Sequence, residues 1–170
     1  MNRFALLGLI AAAWPYVCGT AAADDIRFEQ VPILQGSMRS TVSDIARDER
    51  GFLWLATRRG VCRYDGYTFR RYRHNPADGS TIRSNVVNDI LLVDGDRLWL
   101  ATDAGGVERF DLRTEEFEHF ELIGRENPIP EAGNAARMII DAKGTPWILT
   151  SGGNLFRFDN RGDAFEHVRI

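Results

Sequence analysis

The chain has 170 residues and a formal net charge of −3 at pH 7, and this mild acidity argues against a nucleic-acid partner. Of its two cysteines, Cys18 lies in an apolar segment near the N-terminus that we expect to be removed, so that Cys62 would stand alone and no internal disulfide could form. The folded protein must therefore be stabilised by the packing of its core.

The first 23 residues have the anatomy of a secretory signal peptide. Arg3 precedes an apolar run over residues 4–17, and small residues then lead to an Ala21-x-Ala23 pattern before an acidic pair. The uncharged residues 4–23 are also long enough for an uncleaved membrane anchor, which remains the alternative. We therefore predict that residues 1–23 direct export and that the remaining 147 residues form one domain.

A single sequence pattern occurs three times after an entry segment at residues 24–40. Its tryptophans, Trp54, Trp99 and Trp147, are 45 and 48 residues apart, a period in the range of propeller blades. The predicted organisation is blade repeat 1 at 41–73, a linker at 74–85, blade repeat 2 at 86–120, a loop at 121–135, and blade repeat 3 at 136–170.

Each repeat predicts four short strands joined by tight turns, which together make one antiparallel sheet. The tryptophan strand is apolar on both faces, so neighbouring sheets must cover both sides of it. Radial packing of blades achieves this, with the tryptophans wedged between successive blades. The predicted fold is therefore all-β, a partial β-propeller of three four-stranded antiparallel blades.

Two further positions recur with the repeat, and we predict structural roles for both. The threonines end the tryptophan strand, and the aspartates open a hairpin turn. The aspartates could also be interpreted as a carboxylate cluster, but turn capping explains their recurrence better. The positions are Thr57, Thr102 and Thr150, and Asp65, Asp111 and Asp159. His119 and His167 occupy matching places in repeats 2 and 3, where we expect solvated side chains on the closing strands.

The repeat resembles the two-component regulator propeller repeat. The matching residues are Asp48-Glu-Arg-Gly51, Leu53-Trp54-Leu55-Ala56-Thr57, Gly60-Val61, Tyr64-Asp65-Gly66 and Phe69, with residues 69–82 similar to the segment that links the first two blades in that family. The third repeat departs from the pattern in having Thr145-Pro146 before Trp147.

This resemblance implies the N-terminal, extracytoplasmic, ligand-sensing region of a membrane-bound receptor. In the family, further blades, a β-sandwich, one transmembrane helix and a histidine kinase or diguanylate cyclase follow, and the receptors are expected to act as dimers. None of these output modules is recognisable in the 170 residues. We therefore predict that the chain is a fragment, periplasmic, part of an inner-membrane receptor, and not an enzyme by itself.

No catalytic, cofactor-binding or metal-binding motif is recognisable in the sequence. Repeat 1 is rich in arginine where the other repeats are acidic or neutral, especially in the turn after the tryptophan strand. The equivalent turns of the three repeats contain the candidate ligand-binding residues Arg58, Arg59, Asp103 and Ser151. A rim with several arginines would favour an anionic saccharide or peptide. A merely solvated surface is the alternative.

Two other function classes remain open on the sequence alone. A secreted propeller enzyme of the glycosidase or lyase type would need a central cluster of carboxylates or metal ligands. A secreted scaffold that binds a partner would need neither a membrane segment nor an output domain. The fold does not distinguish these classes from a sensor, because one propeller architecture serves many functions.

Overall fold

The structure is a computed structural model, and it describes residues 40–104, 106–122 and 133–169. The predicted signal peptide, residues 24–39 of the entry segment and most of the 121–135 loop lie outside the described residues. The described residues all belong to one compact unit, Pro32–Ile170. Their secondary structure is entirely strand and turn, and so they contain no helix that could span a membrane.

In the described residues, twelve strands form three separate four-stranded sheets, each antiparallel and each made of consecutive strands. Blade 1 contains β1 (Val42–Arg47), β2 (Leu53–Thr57), β3 (Gly60–Tyr64) and β4 (Phe69–Tyr72). Blade 2 contains β5 (Val87–Val93), β6 (Arg97–Thr102), β7 (Gly106–Asp111) and β8 (Phe117–Glu121). Blade 3 contains β9 (Ala135–Ile140), β10 (Pro146–Thr150), β11 (Leu155–Asp159) and β12 (Ala164–Val168). The prediction of three four-stranded antiparallel blades is confirmed.

The first strand of each blade lies innermost. β1 packs beside β5 and β5 beside β9, so these three strands follow one another around the propeller axis. Each contains an irregularity near its start, where the pairing with the second strand shifts by one residue. Such a bulge bends the strand and increases its twist, which suits a strand that must lie against its equivalents in the adjacent blades.

Aromatic side chains fill the two seams between blades. Trp54 of blade 1 is 1% exposed and contacts Phe110 of blade 2, with 5.6 Å between ring centroids. Trp99 of blade 2 is 2% exposed and contacts Phe158 of blade 3 at 4.8 Å. These two tryptophans are thus wedged between successive sheets. Trp147, the equivalent residue of blade 3, is only half-buried.

Gly60 shows why the turn between the second and third strands requires glycine. Its φ is +98°, and an added Cβ would lie 2.2 Å from the carbonyl oxygen of Tyr72. A side chain there would therefore meet both backbone strain and a steric clash with β4. The hydroxyl of Thr57 donates to the Gly60 carbonyl at 2.7 Å, which closes the turn from the other side.

Candidate functional site

A cleft of about 490 Å³ opens where the inner strands of the three blades begin. We call it the axial mouth. All three blades contribute to its lining, which consists of Ser43, Arg58, Asn88, Asp103, Asn134, Ala136, Arg137 and Ser151. Three of the four candidate residues from the sequence, Arg58, Asp103 and Ser151, thus meet in one place. Arg59 is not among the lining residues, and its backbone N–H donates to the hydroxyl of Thr57 at 2.9 Å.

These three candidates occupy one repeated position, directly after the buried threonine of the second strand. The backbone N–H of each donates to a carbonyl that precedes the inner strand of its own blade. The three bonds are Arg58 to Thr41 at 3.4 Å, Asp103 to Val86 at 3.1 Å, and Ser151 to Asn134 at 2.9 Å. The rim turns are therefore fixed by the backbone, and their side chains are free to differ between blades.

Polar side chains connect the rim of the axial mouth across the second seam. The side-chain amide of Asn88 in blade 2 donates to the Asp103 carboxylate at 2.7 Å and to the Ala135 carbonyl of blade 3 at 2.9 Å. The hydroxyl of Ser151 accepts the backbone N–H of Asn134 at 3.0 Å. A ligand at the mouth would thus contact groups that already hold blades 2 and 3 together.

Arg137 completes the axial mouth and was not predicted from the sequence. Its side chain is 65% exposed, and its guanidinium contacts the Asp89 carboxylate at 3.2 Å. Arg137 stands where blades 1 and 2 have Asp44 and Asp89, as the pairing with the second strands shows. The sequence does contain a signal for Arg137, because an arginine replaces the aspartate of the other two repeats at this position.

The two aspartates at that repeated position link successive blades. Asp44 accepts the backbone N–H of Ile90 at 3.2 Å, and Asp89 accepts that of Met138 at 2.5 Å. Burial raises the pKa of the Asp89 carboxyl, and the neighbouring Asp44 raises it further, against the lowering effect of the Met138 N–H and of Arg137. Arg137 thus connects the axial mouth to these two neighbouring carboxyl groups, which do not themselves line it.

The recurring aspartates of the hairpin turns lie away from the mouth, each within its own turn. Their carboxylates accept backbone N–H groups two or three residues later: Tyr67 and Thr68 for Asp65, Arg113 and Thr114 for Asp111, and Arg161 for Asp159. The Thr68 N–H and the other turn donors lower the pKa of Asp65 to about 2. These carboxylates cap turns and do not form a catalytic cluster.

The repeated threonines are likewise buried and local in their bonding. The Thr102 hydroxyl donates to the Gly106 carbonyl at 3.3 Å, and the Thr150 hydroxyl accepts the Asn154 N–H at 3.1 Å. Two indole N–H groups are also satisfied locally, since Trp54 donates to Asp48 and Trp147 to Asp141, both at 3.0 Å. These side chains shape the blades rather than a binding surface.

The expectation of a solvated His119 is wrong. Its ring is 16% exposed and contacts the carboxylate of Glu108, which is 1% exposed in the middle of blade 2. The equivalents of Glu108 in the other blades are Cys62 and Phe156, as the strand pairing shows. The sequence shows adjacent Glu118 and His119, but the partner of His119 comes from the neighbouring strand instead.

No metal site is evident in the part of the chain that the structure describes. Within it, no group of three or more histidine, cysteine or carboxylate side chains could hold a metal ion. The axial mouth carries two arginines, the residue type that proteins use to bind anions. Guanidinium groups bind carboxylates and sulfates through paired charge-assisted hydrogen bonds, and Arg58 and Arg137 supply two of them.

One comparison with known proteins finds similarity to part of a histidine kinase. A stretch of 82 residues, 48% of this chain, is 32% identical to Histidine kinase P4 of Formosa agariphila and covers 6% of that protein. The resemblance to the two-component regulator propeller family is confirmed. No protein-family model matches the chain.

Solved structures share the fold. The extracellular domain of BT3049 from B. thetaiotaomicron, assigned to the hybrid two component systems, matches with a TM-score of 0.65 at 23% identity, over 75% of this chain and 18% of that chain. YCF48 from Cyanidioschyzon merolae matches with a TM-score of 0.54 at 13% identity, over 81% of this chain and 44% of that chain. At these identities the likeness establishes the blade architecture alone.

Proposed function

We propose that this chain belongs to the extracytoplasmic, ligand-sensing region of a membrane-bound signalling receptor. The output module of that receptor would be a histidine kinase or a diguanylate cyclase. The match to a histidine kinase supports the signalling role, and the export signal expected at residues 1–23 supports the location. In this proposal the chain binds and does not catalyse.

The observation that carries the proposal is the convergence of three blades on the axial mouth. Arg58 of blade 1, Asn88 of blade 2 and Arg137 of blade 3 line the same cleft. A ligand bound there would contact every described blade at once, and its binding energy would therefore depend on how the blades are arranged. A molecule that binds one arrangement more tightly shifts the population toward it, which is the physical requirement for a sensor.

The chemistry of the mouth favours an anionic saccharide or peptide over a neutral ligand. Arg58 and Arg137 supply cationic donors, whereas Ser43, Asn134 and Ser151 supply neutral polar groups of the kind that bind hydroxyls or amides. Asp103 accepts from Asn88 and would disfavour a carboxylate placed directly against it. The ligand's charge would therefore lie between the two arginines.

Calorimetry with a uronic-acid disaccharide as the probe, and its neutral glucose counterpart as the reference, tests this assignment. We expect the acidic disaccharide to bind more tightly. Arg58→Ala or Arg137→Ala should weaken its affinity about ten- to a hundredfold, since a hydrogen bond to a charged group contributes about 1.5 to 3 kcal/mol. Arg59→Ala is the matched control, because Arg59 neighbours Arg58 but does not line the mouth.

Equal affinity for the acidic and neutral disaccharides would contradict the anion site, as would an unchanged affinity after both arginine substitutions. The disaccharide should also be recovered intact after prolonged incubation. Its cleavage would favour the alternative of a propeller enzyme.

We further propose that the open face of blade 3 packs against another blade of the same polypeptide. Ile139 and Leu149 are 66% and 46% exposed, yet they stand at the positions of Ala46 and Ala56, which face the first seam. Large exposed apolar groups at a position that is covered in both other blades indicate a surface that requires a partner. Dimerisation of the receptor would be a separate contact.

A further inference from the structure

Glu108 and His119 form the most unusual polar pair in the described blades. Glu108 lies at the centre of β7 and pairs in register with His119 on β8, where blade 3 has Phe156 opposite His167. A carboxylate that is 1% exposed would be costly to bury without a partner. Its contact with the Nδ1 atom of His119 provides that partner.

The second ring nitrogen of His119 reaches the linker between blades 1 and 2. Its Nε2 atom lies 3.1 Å from the carbonyl oxygen of Gly79. The backbone N–H of Arg83, further along the linker, donates to Glu108. Between these two attachments lies Ile82, which is 0% exposed and belongs to the core between blades 1 and 2. The pair therefore contacts the linker on both sides of the buried Ile82, at Gly79 and at Arg83. We call this arrangement the clasp.

In the tautomer of His119 that donates to Gly79, this clasp contains a bound proton. The Gly79 carbonyl can only accept a hydrogen bond, so the Nε2 atom of His119 must carry a hydrogen. A neutral ring of that tautomer presents a lone pair at Nδ1, which would face the lone pairs of an ionised Glu108. The contact between Nδ1 and the carboxylate therefore needs a further proton, either as imidazolium with carboxylate or as imidazole with carboxylic acid.

We propose that Glu108 and His119 form a proton-binding site that fastens the linker to blade 2 when occupied and releases it as the pH rises. Loss of the proton leaves two lone pairs in contact, and the repulsion is relieved when the His119 ring and Gly79 move away. Because Ile82 is attached to the same segment, release reaches the core of the first seam. The site is independent of the axial mouth, and its ligand is the proton itself.

Besides Glu108 and His119, the titratable groups at this segment include Arg83 and His74, whose Nδ1 atom lies 2.8 Å from the Ile82 carbonyl oxygen. Arg83 of the linker is the cation that faces Glu108, and its own guanidinium lies 3.7 Å from Glu121 of β8. Burial raises the pKa of the Glu108 carboxyl, against the lowering effects of His119 and Arg83. A raised pKa means that the folded state holds the proton more tightly than the unfolded chain does, and so this contribution to stability is lost as the pH rises.

Amide hydrogen exchange of the full chain between pH 4 and pH 9 tests the site. The readout is the protection factor of the amides of residues 79–83, with those of residues 147–150 in blade 3 as an internal reference. Above the midpoint of release, the linker protection factors should fall up to about tenfold per pH unit, because one proton is lost. The blade 3 amides should show no such fall.

Substitutions separate proton binding from simple packing. Glu108→Gln should keep the linker protected across the whole range, since an amide N–H can donate to the Nδ1 lone pair without any added proton. His119→Gln should remove the pH dependence. His167→Gln is the matched control and should behave like the native chain, because its ring lies against Phe156 rather than a carboxylate.

Protection factors of the native linker that stay flat from pH 4 to pH 9 would overturn the proposal. A Glu108→Gln variant with the same pH dependence as the native chain would do so as well. If Glu108→Gln does not fold, His119→Gln decides. An unchanged pH dependence in that variant would show that the proton is held elsewhere.

Discussion

One carboxylate at a repeated position joins each described blade to the next. Asp44 accepts an N–H of β5, and Asp89 accepts an N–H of β9. The bulge just before each aspartate places it at the irregular point of an inner strand. In blade 3 this residue is Arg137, so the junction on its open side cannot be made in the same way. A single substitution within the repeat thus converts a structural position into part of the axial mouth.

The seam tryptophans allow a prediction at the same scale. Trp99→Ala should destabilise the protein by about 3 to 5 kcal/mol, because it opens a cavity between blades 2 and 3. Trp147→Ala is the matched comparison and should cost only about 1 to 2 kcal/mol, since Trp147 is half-buried and has no described blade beyond it. Urea unfolding of both variants would measure the difference. Equal losses would show that the two tryptophans pack alike and would refute the wedge.

A second repeated contact joins adjacent blades, through an arginine on the third strand that we call the arginine latch. On each third strand, an arginine pairs in register with the tryptophan of the second strand and lies over its ring, at 5.9 Å for Arg63, 5.3 Å for Arg109 and 5.9 Å for Arg157. Arg63 and Arg109 also contact an acidic residue of the following blade, namely Glu115 and Asp163. Both acids have positive φ angles, in the turn between the third and fourth strands.

This arginine latch can be tested by a double-mutant cycle on Arg109 and Asp163. The guanidinium of Arg109 is 14% exposed and lies 3.0 Å from the Asp163 carboxylate, which is 61% exposed. We expect a coupling energy of about 0.5 to 1 kcal/mol, since a partly exposed ion pair is screened by water. Arg109→Ala alone should cost more than this, because it also removes stacking on Trp99 and Phe120.

The control for this cycle is Arg113 with Asp163, for which the structure shows no contact. Chemical denaturation of the four proteins in each cycle gives the coupling energies directly. A coupling energy between Arg109 and Asp163 no larger than that of the control pair would show that this ion pair does not stabilise the contact between blades 2 and 3.

At the scale of the whole molecule, three blades leave one large face of the last sheet uncovered. Ile139 and Leu149 are exposed on β9 and β10, and Arg157 has the position of a latch residue whose counterpart would lie in a further blade. Propellers of known type close with at least four blades. This exposed face is the surface that we propose packs against another blade.

The chain on its own should consequently self-associate. Sedimentation of residues 24–170 at rising concentration should show oligomers, and replacing both Ile139 and Leu149 with glutamate should shift the protein toward the monomer, since charges on an exposed sheet face oppose association. Tyr67→Ser is the control, because Tyr67 is 93% exposed in a hairpin turn. A native chain that stays monomeric, or a double variant that associates equally, would contradict the open-face interpretation.

The sequence alone determined the architecture of the blades. The 45- and 48-residue spacing of the tryptophans, the apolar second strands and the turn residues are all local features, and each repeat presents them again. The local pattern agrees with the tertiary packing because the second strand of every blade is apolar on both faces and must be covered by neighbouring sheets. The Arg58, Asp103 and Ser151 positions could be named for the same reason, since they are equivalent within the repeat.

Only the tertiary structure decided which side chains meet across blades and loops. Arg137 joins the axial mouth through Asp89, 48 residues earlier, and His119 contacts Gly79 across 40 residues of sequence. Glu108 and His119 are opposed because of strand register, which moves every side chain to the other face when it shifts by one residue. Such contacts depend on how sheets stack and where a linker passes over them, and no local pattern in the sequence specifies either.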